Sequence, residues 1–203
     1  MILTMRDVMR YCRLDADARE TSFGVRAFLA DPICRFTVLL RFVEYAENSR
    51  APAVVRMFLK LWFRRISIRL GFSVPPNVFG PGLAIVHYGL LVVAPAAVVG
   101  SYCRIHAGVN IGGGGGRSIS SSGRSAPRIG DRCYIGPGAK IYGAVQIGDD
   151  CAIGANAVVG PGIFRDGLTI AGNKAVIVSD RGSAGMIFGR YQDGSSSAGS
   201  GLD

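Results

Sequence analysis

The stretch IGDRCYIGPGAKIYGAVQIGDDCAIGANAVV, residues 129–159, repeats every six residues. Starting at its first residue, each sixth position carries a β-branched aliphatic side chain: Ile129, Ile135, Ile141, Ile147, Ile153 and Val159. A helix has a period of 3.6 residues and an isolated strand a period of two, so neither explains a period of six. Short strands joined by tight turns do explain it, because every sixth side chain then points into a narrow axis. The stretch therefore predicts a parallel β-helix.

The repeat extends towards the N-terminus with two interruptions. Steps of six residues, or close to it, connect a further set of aliphatic and aromatic positions: Ile111, Ile105, Val99, Val93, Ile85 and Phe79. Eighteen residues separate Ile111 from Ile129 where six are expected, which predicts a loop, residues 112–128, that protrudes from the β-helix. Eight residues separate Ile85 from Val93, and this bulge contains His87.

Residues 1–70 show a different pattern. The segments 32–49 and 51–68 have apolar residues at helical spacing with Arg between them, which predicts two or three amphipathic helices. Their basic faces suit an anionic lipid surface, a contact between subunits, or solvent, and the last two are the commoner reasons for such a face. The predicted organisation is a helical region 1–70, a β-helix 71–180 and a flexible, low-complexity tail 181–203.

Composition restricts the classes of function. The net charge of +9 indicates anionic partners, but the basic residues are scattered, which favours a phosphate-bearing small molecule over nucleic acid. The five cysteines form no CxxC pair, and the first residues lack the apolar segment of a signal peptide, so we expect a cytoplasmic protein. The uncharged run 70–103 is long enough for a membrane span, but four prolines, five glycines and the six-residue period argue against integral membrane association.

Three runs carry a resemblance to a known family: GFSVPPNVFGPGLAIVHYGLLVVAPAAVVG (71–100), GVNIGGGG (108–115) and APRIGDRCYIGPGAKIYGAVQIGDDCAIGANAVV (126–159). Together they resemble the serine acetyltransferases of the hexapeptide-repeat acyltransferase superfamily, most of all the branch often encoded with polysaccharide-biosynthesis genes. The resemblance implies a mainly β protein, a left-handed parallel β-helix of hexapeptide repeats preceded by an α-helical N-terminal region. It also implies a homotrimer or a dimer of trimers, with active sites between neighbouring β-helices.

The reaction implied by the resemblance is acetyl transfer from acetyl-CoA to a hydroxyl, without a metal. A hydroxyl is a poor nucleophile until a base removes its proton, and a neutral histidine suits that role near pH 7. The family's base follows a G-x-G-[LI] rung, and the sequence GPGLAIVH places His87 there. The carboxylate that often precedes this histidine in the family is Val86 here. The partner that orients His87 is therefore missing, supplied from elsewhere, or replaced by a backbone carbonyl.

The resemblance also implies residues for acetyl-CoA. The pantetheine arm in this superfamily lies along the edge of the β-helix against small residues, and Ala139 and Ala155 match such positions. The segment GGGGGR, which includes Gly113 and Gly114, matches the family's Gly-rich turn, although its glycines are equally suited to a flexible linker. Arg117 is the first candidate for contact with a CoA phosphate, and Arg128 is the second.

The acceptor side departs further from the family. Asp17, with Asp15 as the alternative, is the candidate carboxylate for a substrate ammonium. The family's Arg-His pair falls on Ser125 and Ala126, and a glutamate of the family motif falls on Pro95.

Two more residues are candidates for binding the acceptor. His106 falls one coil along from His87 in the repeat, which predicts that the two histidines are neighbours, although packing is the commoner role for a histidine there. Tyr88 suits a neutral acceptor such as a sugar.

These features predict an O-acetyltransferase with L-serine as acceptor, giving O-acetylserine for cysteine biosynthesis. A sugar or secondary-metabolite hydroxyl is the alternative acceptor, and a non-catalytic β-helix scaffold is the alternative class. A zinc hydratase needs three histidines around the metal, and this chain has two, 19 residues apart, which argues against it.

Overall fold

The computed structural model describes residues 1–113, 126–174 and 176–180. Gly114 and Arg117, most of the predicted loop and the predicted tail lie outside the described residues. Within those ranges the chain forms four α-helices followed by fifteen short β-strands.

The helices are α1 Met5–Ala18, α2 Val25–Ala30, α3 Pro32–Asn48 and α4 Ala53–Leu70, against the two or three that the sequence predicts. A capping box starts α1, since the Thr4 hydroxyl accepts from the Asp7 N–H and the Asp7 carboxylate accepts from the Thr4 N–H. Asp31 caps α3, which has proline at its first position. Gly71, with φ of 74°, ends α4.

The fifteen strands follow α4 in the sequence. They are β1 Phe72–Ser73, β2 Ala84–Ile85, β3 Leu91–Val93, β4 Val98–Val99, β5 Arg104–Ile105, β6 Asn110–Gly112, β7 Arg128–Ile129, β8 Tyr134–Ile135, β9 Lys140–Tyr142, β10 Val145–Ile147, β11 Ala152–Ile153, β12 Val158–Val159, β13 Gly162–Phe164, β14 Thr169–Ala171 and β15 Val176–Ser179.

The strands form the three faces of a parallel β-helix, as the six-residue repeat predicts. The first sheet has the order β1-β3-β6-β9-β12, the second β4-β7-β10-β13, and the third β2-β5-β8-β11-β14-β15. Neighbours within a sheet are parallel and one coil apart, except that β15 runs antiparallel to β14. The third sheet stacks one aliphatic residue per coil along the axis: Ile85, Ile105, Ile135, Ile153 and Ile170. These side chains are at most 1% exposed.

Aromatic packing joins the helices to the first coil. The Phe36 ring of α3 stacks on Phe63 of α4 at 5.1 Å between centroids and meets Phe72 of β1 edge-on at 4.9 Å. The helices and the β-helix therefore share one apolar core.

The described residues contain neither a membrane-spanning helix nor a cluster of metal-binding side chains. None of the helices in that part of the chain is long and apolar enough to cross a membrane. The same residues contain no group of three or more His, Cys, Asp or Glu side chains placed to hold a metal ion.

Candidate active site

His87 lies in the bulge between β2 and β3, and its side chain is exposed. Backbone hydrogen bonds fix the bulge on both sides of the histidine. The Val86 N–H donates to the Ile105 carbonyl at 3.1 Å, and the Gly89 N–H donates to the Leu70 carbonyl at 3.0 Å. Gly89 has φ of 133°, a conformation that disfavours any side chain. The bulge therefore presents His87 from a fixed backbone at the junction of α4 and the β-helix.

His106 is the neighbour that the repeat predicts for His87. The register pairs Ile85 with Ile105, so the residues that follow them lie on adjacent coils. The two imidazole rings are 6.0 Å apart between centroids, and the ring of Tyr134, from the next coil, lies 5.1 Å from that of His106. The three rings form a row across the first coils of the β-helix.

The environment of His106 disfavours its charged form. Its Nε2 atom is buried and has no hydrogen-bond partner among the described residues. Burial lowers the pKa of His106 below its ordinary value, and the charges of Arg104 and His87 lower it further. His106 is therefore neutral near pH 7, with one ring nitrogen left without a protein partner in the described part of the chain.

Among the described residues, no carboxylate is paired with His87. The ion pairs and side-chain hydrogen bonds found among residues 1–113, 126–174 and 176–180 do not include its imidazole. The preceding residue, Val86, is apolar, and the ring in contact with His87 is that of His106. In the described residues, the neighbour of His87 is therefore a neutral imidazole.

A buried cluster of charges fixes the turn that leads to His87. Arg41 of α3 is completely buried and donates to Asp15 of α1 at 2.9 and 3.2 Å and to Glu44 at 3.0 Å. It also donates to the carbonyls of Phe79 and Gly80, at 3.0 and 2.7 Å.

Asp15 completes the link to the bulge that contains His87. Its Oδ1 accepts from the N–H groups of Gly82 and Leu83 at 2.9 and 2.8 Å, directly before β2. Because Asp15 is 1% exposed and already paired with Arg41, it is not available to a substrate ammonium. Asp17 is the half-buried carboxylate of the two, and its neighbour Ala18 packs against Ala84 of β2.

Small residues continue the edge on which the histidines lie. The turns after β2, β5, β8 and β11 form one edge of the β-helix, which we call the histidine edge. Beyond His106, the first residues of these turns are Gly136 and Gly154. A Cβ atom on Gly136 would lie 2.8 Å from the Ala155 nitrogen and 2.9 Å from the Ile153 carbonyl oxygen, so the spacing of the coils requires glycine. Ala155 is exposed on the same edge.

The other predicted residues for CoA lie elsewhere. Gly113 is exposed directly after β6. Arg128 is exposed on β7, in the second sheet, while β2 belongs to the third. Ala139 is completely buried, and its carbonyl accepts from the Asn110 N–H at 2.9 Å. Tyr88 follows His87 and is 69% exposed.

Sequence reasoning missed two parts of the site. Tyr134 was detectable, because the register that places His106 beside His87 also places Tyr134 on the next coil along. The second part is the cluster in which Arg41 binds Asp15, 26 positions before it, and Glu44, three positions after it. These spacings belong to no repeat, so the sequence gives no pattern from which the cluster could be predicted.

The fold and the repeat define the class of this chain. The sequence signature described as "Bacterial transferase hexapeptide (six repeats)" matches residues 126–161, inside the β-helix. A serine acetyltransferase of Staphylococcus aureus strain Mu50 is 34% identical over 160 residues, which cover 78% of this chain and 70% of the relative. The chain belongs to the serine acetyltransferase family, as the resemblance in the sequence predicts.

Other relatives are similar over a shorter part of their length. The serine acetyltransferase of Synechococcus elongatus is 31% identical over 137 residues, 67% of this chain and 53% of that relative. A Helicobacter pylori serine acetyltransferase is 38% identical over 113 residues, which cover 55% of this chain and 63% of that relative. The chain thus spans between half and two thirds of the length of these two curated relatives.

Solved structures share the fold. The serine acetyltransferase of Neisseria gonorrhoeae superposes with a TM-score of 0.66 at 23% identity, over 87% of this chain and 69% of that one. The serine acetyltransferase of Brucella abortus strain S19 superposes with a TM-score of 0.65 at 25% identity, also over 87% of this chain and 69% of that one. The arrangement of helices followed by a β-helix is therefore that of solved serine acetyltransferases.

Proposed function

We propose that this protein is an O-acetyltransferase that moves the acetyl group of acetyl-CoA to a hydroxyl, with L-serine as the acceptor and O-acetylserine as the product. Membership of the serine acetyltransferase family supports the reaction class. The observation that carries the mechanism is the exposed His87, held on a fixed backbone bulge at the family's position for the base.

His87 acts as a general base. Its neutral imidazole accepts the hydroxyl proton while the hydroxyl oxygen forms a bond to the thioester carbonyl carbon. The tetrahedral intermediate then releases the CoA sulfur, which takes the proton back from the imidazolium. The sum is one acetyl ester and one free thiol, with no net change in protons.

His106 takes the place of the missing carboxylate as the group beside the base. A neutral neighbour keeps the His87 ring in place without a negative charge, so it stabilises the imidazolium less than a carboxylate does. The role proposed for His106 is to bind the acceptor through its unpartnered Nε2, and because that atom is buried, the ring must turn outward to do so.

The histidine edge supports the proposed position of the acetyl-CoA arm. From His106 to Ala155 the edge spans two coils, or about 10 Å at roughly 4.8 Å per strand spacing. Ala155 is exposed and Gly154 half-buried on this edge, which gives an extended, nearly neutral arm a surface to lie on, whereas Gly136 is buried. Ala155 and Gly113 are the described candidates with exposed surface, whereas the completely buried Ala139 offers the arm no contact. Gly114, Arg117 and Arg128 are proposed for the Gly-rich turn and the phosphates; a serine acetyltransferase solved in complex with CoA has the same fold.

Two kinds of acceptor, serine and a sugar, are compatible with the residues near His87. For serine, Asp17 is the proposed partner of the ammonium group. For a sugar hydroxyl, the second candidate, the supporting observation is that Asp15 is taken up by Arg41 while the exposed ring of Tyr88 adjoins the base. Aromatic faces and neutral donors suit a sugar better than a zwitterion.

We propose that the protein assembles as a homotrimer, or a pair of trimers, in the cytoplasm. The exposure of His87 in the single chain supports a site that a second β-helix completes. All five cysteines are free and buried, which suits a reducing compartment. Light scattering of the purified protein tests the assembly, and a monomeric mass would contradict it.

The test of activity is release of free thiol from acetyl-CoA in the presence of L-serine, L-homoserine or a panel of sugars. His87→Ala is expected to lower turnover by about 10²–10⁴-fold. Gln146→Ala, on the exposed side of β10, is the control and should keep the wild-type rate. Release with a sugar alone would keep the mechanism and change the acceptor. If no hydroxyl is acetylated, or if His87→Ala keeps the full rate, the proposal is wrong and a scaffold role is favoured.

A further inference from the structure

Helix α4 has two apolar faces, and the protein covers one of them. The inner face packs on α3 through Phe63 and the buried Ile66. Six apolar side chains on the other side are exposed, with between 38% and 72% of their surface accessible: Val54, Met57, Phe58, Leu61, Trp62 and Ile68. Positions three, four and seven residues apart share one side of a helix, so these residues form a continuous strip. We call this strip the α4 outer face.

Helix α2 extends this apolar surface. The ring of Phe28 lies edge-on to Trp62 at 6.2 Å between centroids. Val25 and Leu29 of the same short helix are 76% and 66% exposed. The exposed apolar surface therefore extends over two neighbouring helices.

The charges on α4 are all positive. The helix carries five basic residues and no acidic one: Arg56, Lys60, Arg64, Arg65 and Arg69. Lys60 pairs with Glu47 of α3 at 2.9 Å. In the described part of the chain no ion pair includes the four arginines. Arg65 also lies beside Phe58, Leu61 and Trp62 in a shallow surface depression.

We propose that the α4 outer face, with its extension on α2, binds the anionic surface of a lipid bilayer. Such a surface accepts apolar side chains at the level of the headgroups and attracts Arg at the same depth, and Trp and Phe are well suited to that position. Two copies of this helix packed face to face would bring cations together with no acidic residue to neutralise them. Nucleic acid would neutralise the arginines but leave the aliphatic side chains in water. Of these three occupants, the bilayer is the one that satisfies both features.

This binding would also place the site relative to the membrane. The carbonyl of Leu70, the last residue of α4, accepts the N–H of Gly89 in the His87 bulge. A helix of 18 residues, about 27 Å long, would lie in the plane of the surface and hold the bulge at its end. The proposal does not depend on which acceptor is used.

The test is flotation of the full chain with vesicles of phosphatidylcholine alone or with one quarter phosphatidylglycerol. We expect binding to the anionic vesicles only, weakened by salt. The double variant Phe58→Asp/Leu61→Asp should lose at least ten-fold in partition. Arg64→Gln/Arg65→Gln should lose roughly 25-fold, at about five-fold for each cation removed near the surface. Ile163→Asp is the control, because Ile163 is 83% exposed on β13, far along the β-helix, and it should bind like the wild type.

Circular dichroism and light scattering of each variant complete the design. A wild-type protein that floats with neither vesicle, or equally with both, would overturn the proposal. So would loss of vesicle binding in the control. If Phe58→Asp/Leu61→Asp keeps its helix content but changes its mass together with its vesicle binding, the face is a contact between copies and the proposal is wrong. Thiol release from acetyl-CoA in solution does not enter the test, so failure here is separate from failure of the proposed activity.

Discussion

The helical region and the β-helix bury different kinds of side chain. In the described residues, the buried polar and charged side chains are Asp15, Thr37, Arg41, Glu44 and Ser67, all in helices. The β-helix buries no charged side chain in the part that the structure describes. The helical region thus contains a buried cluster of charged side chains, whereas the β-helix is stabilised by apolar side chains that repeat once per coil. His87 lies where they meet, held by Leu70 on one side and Ile105 on the other.

The largest loss of unfolding free energy is expected when Arg41, in the buried cluster of the helical region, is replaced. Arg41→Met leaves the carboxylates of Asp15 and Glu44 buried without their cation, which typically costs about 3–5 kcal/mol of unfolding free energy. Urea unfolding measures this loss. Trp62 is the one tryptophan of the sequence and lies in α4, so its fluorescence reports on the helices, while far-ultraviolet circular dichroism reports on the whole chain.

The matched control for Arg41 is Arg13→Met, because Arg13 is an exposed arginine of α1. Its unfolding free energy should stay within about 0.5 kcal/mol of the wild type. Equal stability of the two variants would mean that the buried cluster does not hold the helices to the turn at residues 79–83.

A cavity in the β-helix should have a comparable but smaller effect. Ile135→Ala removes a completely buried side chain that is stacked between Ile105 and Ile153, and the expected loss is roughly 2–5 kcal/mol. Ile163→Ala, at an exposed position of β13, is the control and should change little. A loss confined to the helical signal of Trp62 would contradict the view that the apolar stack stabilises the β-helix itself.

The same contrast explains which features of the structure could be predicted from the sequence and which could not. The stack of Ile135 and its neighbours follows from a period of six, and the adjacency of His87 and His106 follows from counting along that period. The cluster around Arg41 depends on one crossing of α1, α3 and a turn, which no local pattern encodes. Periodic structure is readable because each coil repeats the same physical requirement. A unique polar contact requires the tertiary structure.

The turns of the β-helix contain a second repeated feature, of smaller effect. The Asp149 carboxylate accepts the N–H of Asp131 at 2.8 Å, and Asp131 does the same for Ser101 at 2.6 Å. Asp149→Ala should cost about 1–2 kcal/mol, since a hydrogen bond to a charged but partly exposed group is lost. Gln146→Ala, exposed on the adjacent β10, is the control. An unfolding free energy equal to that control would show that solvent replaces the carboxylate at no cost.

The smallest effect is expected from the titration of His106, a half-buried residue whose Nε2 atom is buried without a partner among the described residues. Burial, then Arg104 and His87, lower the pKa of His106 in the folded protein, while the unfolded chain keeps a value of about 6.5. Below that pH the unfolded state binds the proton first, so stability is full above it and falls as the pH drops towards the folded pKa. His106→Gln removes this term, and its thermal midpoint should fall less than that of the wild type between pH 7.5 and 5.5. Parallel curves for the two proteins would mean that His106 takes up its proton without cost, and that its buried nitrogen already has a partner in solution.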